Sequence, residues 1–370
     1  MGFLIAAAAL LFGYGAAYVA SDDVRYLTRA GIEETRILTS RVPISTLARD
    51  STVPDSLRRL AALVVDVRAY AARMGLEAKE TYTTYSNVGR DTLLLVLTVS
   101  PKTCLCPVTW KYPIAGRIPY KGFFDFAAAR KVAARYAAEG NDVYLRPSPA
   151  FSTLGWFNDP LLSTAVTTDS VEMASLVFHE LAHNTLWVQD ATDFNETFAE
   201  WVGYRTAERY FMARGDTALA IRAADRFHDE EVLGVYYARL LGKLDSLYAL
   251  RLPATQNDSG RAAVARWSHD TLTGPLSRVL RTVRVDPRGE RPINNAALMG
   301  VRLYRTELSL FDRWNESRRG DIAASIFELH RLLSDAKGPE AFKRMRAILH
   351  VSAPQPSTPS APDSSVPVPE

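Results

Sequence analysis

Apolar residues recur along this chain with two periods, and the change of period divides it. Between residues 92 and 146 they fall in short runs of strand length, TLLLVLTV (92–99), VTWKYPI (108–114) and 142–146, interrupted by one helical segment, FDFAAARKVAARYAAEG. From Asp169 onward the spacing becomes helical, and it predicts helices over 217–249, 257–284, 293–317 and 321–349. A further helix is predicted over 55–75, opened by Pro54. Strands gathered early and helices late predict an α+β, mostly helical chain: a small N-terminal β-sheet packed on a helical lobe. On this reading the sheet-containing part covers about 21–165 and the helical part about 166–350, together one catalytic-sized domain.

Both ends break the pattern. Residues 2–20, GFLIAAAALLFGYGAAYVA, form an uncharged apolar run of nineteen residues, just long enough to span a bilayer as a helix. No Lys or Arg precedes it, and Gly15-Ala16-Ala17 is a weak cleavage site, so an uncleaved anchor is favoured over a cleaved signal, with a buried core helix third. The expected location is the cell envelope, with the rest of the chain facing the periplasm or secreted into it. Residues 351–370 are Pro/Ser-rich, cannot build a core, and are expected to be a disordered tail.

Composition narrows the classes. With 370 residues and 47% hydrophobic content, the chain can bury a large core. A net charge of +3 without a basic run argues against a nucleic-acid partner. The two cysteines, Cys104 and Cys106, lack zinc-ribbon spacing and would close a very short loop if oxidised, so they are expected as packing residues or free thiols. Internal repeats, a Gly-rich phosphate loop and a nucleophile elbow are not apparent.

The chemistry concentrates in VEMASLVFHELAHNTLWV. His179 and His183 stand at i and i+4, one above the other on a helix face, where two imidazoles can bind one zinc ion. Glu180 lies beside them as the candidate general base. Asp169 can cap the helix, with Glu172 completing a capping box, and Met173, Val177 and Leu181 form its apolar stripe. A third ligand is expected at Glu196, with twelve residues between it and His183, if a second antiparallel helix returns to the metal. The competing role for Glu196 is the Glu of a capping box opened by Asp193. Glu200, one turn further on, either accepts the spare N–H of a ligating His or is a solvated surface residue.

These segments carry a resemblance. FHELAHNTLWVQDATDFNETFAEWVGYRTAERYF is similar to a bacterial family of zinc aminopeptidases, and the similarity extends to YTTYSNVGRDTLLLVLTVSP, WKYPIAGRIPYKGFFD and DVYLRPSPAFSTLGWFNDPLL, and more weakly to INNAALMGVRLY, roughly residues 25–315. The chain departs from that pattern in having no Cys before Cys104, where many members carry a lipoprotein Cys, and in PKTCLCPVTWKYPIAG. The resemblance implies the gluzincin arrangement, an HExxH helix followed by a helix that supplies a Glu, with His179, His183 and Glu196 as ligands to one zinc per chain and Glu180 as base. It also raises the expectation that Ser152, Thr153, Gly155 and Trp156 form an edge strand that pairs with substrate backbone.

The expected activity is zinc-dependent hydrolysis of peptide bonds, releasing N-terminal residues, with a peptide or protein as partner. Candidate oxyanion donors are Tyr304 first, then Tyr204, Tyr236, Tyr237 and His228. A zinc endopeptidase of the envelope and a non-catalytic zinc-stabilised envelope protein are the alternatives.

Overall fold

In a computed structural model of the chain, residues 2–112, 116–148, 160–288, 291–304 and 307–352 are described. The apolar N-terminal run forms helix α1 (Gly2–Ala20), followed by α2 (Asp22–Thr39). Ser21 separates them, its hydroxyl accepting from the Val24 amide, and Tyr14 OH reaches across to Thr28 Oγ1 at 2.6 Å. Among the described residues no helix is long and apolar enough to cross a membrane. The expected membrane span over 2–20 therefore finds no support in the fold. Tyr14 is used to hold α1 to α2.

Next come β1 (Val42–Pro43), α3 (Ile44–Leu47), α4 (Asp55–Arg73), β2 (Thr84–Ser86) and β3 (Leu94–Ser100). Then follow β4 (Trp110–Tyr112), β5 (Gly116–Ile118), β6 (Lys121–Phe123), α5 (Phe126–Ala138), β7 (Asp142–Ser148) and β8 (Leu161–Leu162). The strands form three small sheets: β1-β2-β8, β6-β3-β7 and β4-β5. In the second, β3 is central and antiparallel to both neighbours, with Val96 opposite Gly122 and Arg146. Ala129 and Ala133 of α5 bury one of its faces together with Leu97, Val99 and Phe123. The α+β, mostly helical expectation holds, with the strands divided among several sheets.

The cysteines are not free. Cys104 and Cys106 form a disulfide with Cα atoms 5.3 Å apart, within the usual span of such bridges. Buried Ser100 lies inside this loop, its hydroxyl 3.1 Å from Cys104 O and 2.9 Å from Cys106 O.

The helical part comprises α6 (Ser170–Thr185), α7 (Thr192–Ala213), α8 (Thr217–Ala249), α9 (Ala254–Thr271), α10 (Ser277–Val279), α11 (Asn295–Tyr304), α12 (Leu308–Glu316), α13 (Ile322–Leu333) and α14 (Glu340–Leu349). Helix α6 is buried on several sides, with Val171, Met173, Val177, Phe178 and Leu181 fully covered. Its partner α7 buries Phe194, Phe198 and Trp201, whose rings meet Phe311 of α12. Arg205 of α7 pairs with Asp312, which also accepts from the Trp201 indole at 3.0 Å, so α12 is tied to α7 by charge as well as packing. The sheet joins the late helices through a buried ion pair, Arg261 to Asp142 at 2.6 Å, whose carboxylate also takes the Asn295 amide at 2.8 Å.

Three predicted helices were too long. The one expected to reach 284 ends at Val279 because Asp229 captures the amides of Arg281, Thr282 and Val283. The one predicted over 293–317 is broken at Glu307, which adopts a left-handed φ of 58°. The one over 321–349 breaks before Pro339, where the Gly338 amide bonds Gln189 O at 2.7 Å.

Candidate metal centre

Helix α6 starts where its cap is strongest. Asp169 Oδ1 accepts from the Val171 and Glu172 amides, and Asp169 Oδ2 receives Arg226 at 2.7 Å. Glu172 does not complete a capping box. Its carboxylate goes to Arg226 at 2.6 Å and Thr167 at 3.1 Å, while the Asp169 amide goes to Thr167 Oγ1.

The far end of α6 is gripped by a second segment. The Glu77 amide donates to Thr185 Oγ1 at 2.9 Å and the Asn184 amide nitrogen to Thr81 Oγ1 at 2.8 Å. That segment holds two non-glycine residues at positive φ, Lys79 and Tyr82, and Arg68 secures it by binding the carbonyls of Lys79 and Thr81. Such conformations persist only where neighbouring contacts over-determine them.

The turn from α6 to α7 is clamped by Asn195. Fully buried, it accepts from the Val188 amide and donates to the Val188 carbonyl, both at 2.8 Å. This aims the next residue, Glu196, back at α6. Close approach of the two helices depends on Gly203: a Cβ there would lie 2.9 Å from Ser175 O and 3.5 Å from His179 Cβ.

The result is a convergent set. His179 Nε2 and His183 Nε2 are 3.2 Å apart, and the Glu196 carboxylate lies 3.6 Å from the first and 3.8 Å from the second. Donors about 2.0–2.2 Å from a tetrahedral zinc stand roughly 3.3–3.6 Å from one another. The spacing of this His–His–Glu set lies within a few tenths of an ångström of what a zinc ion needs. Glu196 serves no capping box, because α7 starts one residue before Asp193 and Asp193 Oδ1 takes only the adjacent Phe194 amide.

Glu200 faces the other edge of His179, its carboxylate 3.5 Å from Nδ1. In the metal-free site burial pushes the His179 pKa down, but Glu196, Glu200 and Glu180 outweigh it and hold it up at about 10. Burial and the positive His179 push His183 down to about 4. Metal binding at such a donor set would displace the imidazole proton. His183 Nδ1 is buried without a hydrogen-bond partner. The His183 ring meets Trp187 edge-on at 5.5 Å, and Trp187 is 59% exposed.

Beside this set lies a cavity of about 240 Å³, bounded by Ser175, Leu176, Glu180, Glu200, Gly203 and Tyr204, with Glu172 and His179 at its edges. Glu180 is half-buried on its wall. Burial, then Glu200 and Glu230, raise the Tyr204 pKa well above the usual phenol value, so it stays a hydroxyl donor.

The other residues singled out in the sequence fall elsewhere. Tyr236 bonds Ser268 and packs with Tyr237 in a separate cluster, and His228 Nε2 lies 3.2 Å from Val279 O, so none of the three joins this cavity. Tyr304 ends α11, which packs on α7, but its side chain lies outside the described residues. Ser152, Thr153, Gly155 and Trp156 also lie outside them. Sequence reasoning missed Gly203, Asn195, Trp187 and Arg226. Only Asn195 carried a local signal, an amide side chain adjoining a candidate ligand.

Residues 25–344 match a family described as "Putative aminopeptidase". No curated protein and no solved structure matches the chain.

Proposed function

From the premise that the chain belongs to the putative aminopeptidase family, we propose that it is a zinc-dependent peptidase that releases N-terminal residues from peptide or protein substrates. The observation that carries this reading is the convergence of His179, His183 and Glu196 within 3.2–3.8 Å, with Glu180 on the wall of the adjoining cavity. His179, His183 and Glu196 would hold the ion, which when bound supplies an acidified water and a Lewis acid for the scissile carbonyl.

The chain's own groups do the rest. Glu200 takes the Nδ1–H of His179, which fixes the tautomer that turns the Nε2 lone pair toward Glu196 and His183. Glu180 takes a proton from the attacking water and returns it to the leaving amine. Its partial burial next to His179 keeps the carboxylate positioned for both transfers. Tyr204, held protonated by its surroundings, offers an O–H to oxygen charge developing in the cavity. Tyr304 is a second donor candidate on a helix that packs against α7.

An envelope location belongs to the same proposal. The Cys104–Cys106 disulfide suits an oxidising compartment. Exposed Leu11, Phe12 and Val19 on α1 suit contact with a membrane. Fractionation of cells expressing the full chain tests this, and recovery in the cytosol contradicts it.

The enzymatic proposal is tested by metal analysis and peptide mass spectrometry together. Purified protein should carry about one zinc, and His183→Ala or Glu196→Ala should empty the site. Free-amine peptides should shorten from the N-terminus while N-acetylated ones survive. Internal cuts in the acetylated peptides would make the protein an endopeptidase. Full zinc and full activity in Glu196→Ala would remove Glu196 from the ligand set.

A further inference from the structure

Independently of any peptidase activity, we infer that the segment from Arg278 to Arg291 is a membrane-docking surface that takes anionic phospholipid headgroups. Its fourteen residues hold five arginines, Arg278, Arg281, Arg284, Arg288 and Arg291, against two carboxylates, Asp286 and Glu290, a net charge of +3. The whole chain also carries +3, so the remainder is neutral on balance. Because the arginines stand three or four residues apart, they make no continuous run in the sequence. All five are exposed.

A charged stretch on a surface is ordinarily a solvated loop, and two features set this one apart. The first is that its shape is fixed from below. Asp229 of α8, 1% exposed, accepts the amides of Arg281, Thr282 and Val283 at 2.7–2.8 Å and the Thr282 hydroxyl at 2.7 Å. Leu280 is buried in the cluster that holds Leu233 and Tyr236 of α8. The second is that apolar side chains are turned outward among the charges. Val279 is 47% exposed and Val283 38%, with the clamped stretch between them. Arg281 is answered by Asp225 at 2.8 Å and Arg288 by Asp286 at 3.0 Å, whereas Arg278 and Arg284 have no ion pair among the described residues.

The mixture of side chains points to a lipid surface. A guanidinium forks onto phosphate oxygens, and an apolar side chain beside it enters the boundary between headgroups and acyl chains. A soluble polyanion would answer the arginines and leave the valines in water. One weak apolar contact gives only marginal, reversible membrane binding, and a basic patch is the second signal that makes it stable. Exposed Leu11, Phe12 and Val19 of α1 supply the apolar contact, and this segment supplies the charge that complements an anionic leaflet.

The test sediments the full-length protein with vesicles of phosphatidylcholine alone and of phosphatidylcholine mixed with phosphatidylglycerol. Binding should be tighter on the anionic vesicles, by a margin that shrinks as salt is raised. Arg278→Gln with Arg284→Gln breaks no ion pair and should cut that margin by about fivefold per arginine, with phosphatidylcholine binding and the urea midpoint unchanged. Removing two charges from α5 instead, with Arg130→Gln and Lys131→Gln, both exposed, should leave the margin in place. Val279→Ser with Val283→Ser should weaken binding to the anionic vesicles but not to heparin, a soluble polyanion. Equal binding to the two kinds of vesicle, or an equal loss in the α5 variant, overturns the assignment. Heparin binding that matches the anionic vesicles, with both indifferent to the valines, would make the segment a polyanion site and overturn it as well.

Discussion

Gly203→Ala should weaken both the fold and the metal site, by an amount that the helix contact sets. Its new Cβ would stand 2.9 Å from the Ser175 carbonyl oxygen, a backbone atom that cannot swing aside, and 3.5 Å from His179 Cβ. Relief requires α6 and α7 to part by roughly half an ångström, a small-to-large change of the kind that costs about 1–3 kcal/mol. Alanine's helix preference returns about 1 kcal/mol, leaving a net loss of up to about 2 kcal/mol. Gly300→Ala in α11 is the control, since nothing lies within 4 Å of its Cβ and only the propensity gain of about 1 kcal/mol remains. The two alanines should therefore differ by about 1–3 kcal/mol, with Gly300→Ala the more stable. Zinc affinity should fall in Gly203→Ala alone, by about tenfold, because His179 and Glu196 sit on the separating helices and tolerate only about 0.2 Å. Urea denaturation of the metal-free variants and chelator competition for zinc provide both numbers. A Gly203→Ala protein as stable as wild type with unchanged zinc affinity would refute the close contact as the element that spaces the ligands.

Asn195→Ala strands the buried Val188 amide and carbonyl and should cost about 1–3 kcal/mol in a urea melt, with weaker zinc binding because Glu196 loses its aim; Asn195→Asp should lose less, as it can still accept from the amide. Metal-free stability should peak near pH 6.5: the His179 contribution is full below its unfolded pKa and is lost as pH rises through about 10, while the His183 contribution is full above 6.5 and is lost as pH falls through about 4. Thermal melts of chelator-treated protein across pH check this, and a monotonic profile would contradict it. Zinc binding at pH 7.5 should release about one proton, the one His179 holds, seen by calorimetry in buffers of different ionisation enthalpy; a buffer-independent heat would count against the site.

His179, His183 and Glu196 were legible because their geometry is local. Four residues make one helical turn, and a short connection brings the following helix back antiparallel. Glu196 itself was ambiguous in sequence, since a capping box uses the same spacing, and the start of α7 at Thr192 removes that role. Gly203, Arg226 and Trp187 carry no local signal: each matters through a neighbour far along the chain or on another element. The helix over 257–284 was overextended for a similar reason, because Asp229, some fifty residues earlier, captures the amides that would have continued it. The Cys104–Cys106 bridge joins residues two apart, a pairing that sequence spacing argued against.

Whether Glu180 works beside an ion held by His179, His183 and Glu196 is decided by Glu180→Gln. The variant and the wild type, both assayed for zinc, are incubated with a library of free-amine peptides and the products are read by mass. Both proteins should carry equal zinc, the wild type should give N-terminal ladders, and the variant should be slower by about 10²- to 10⁴-fold. Equal ladders from both proteins, or zinc lost with the glutamine, would contradict that role.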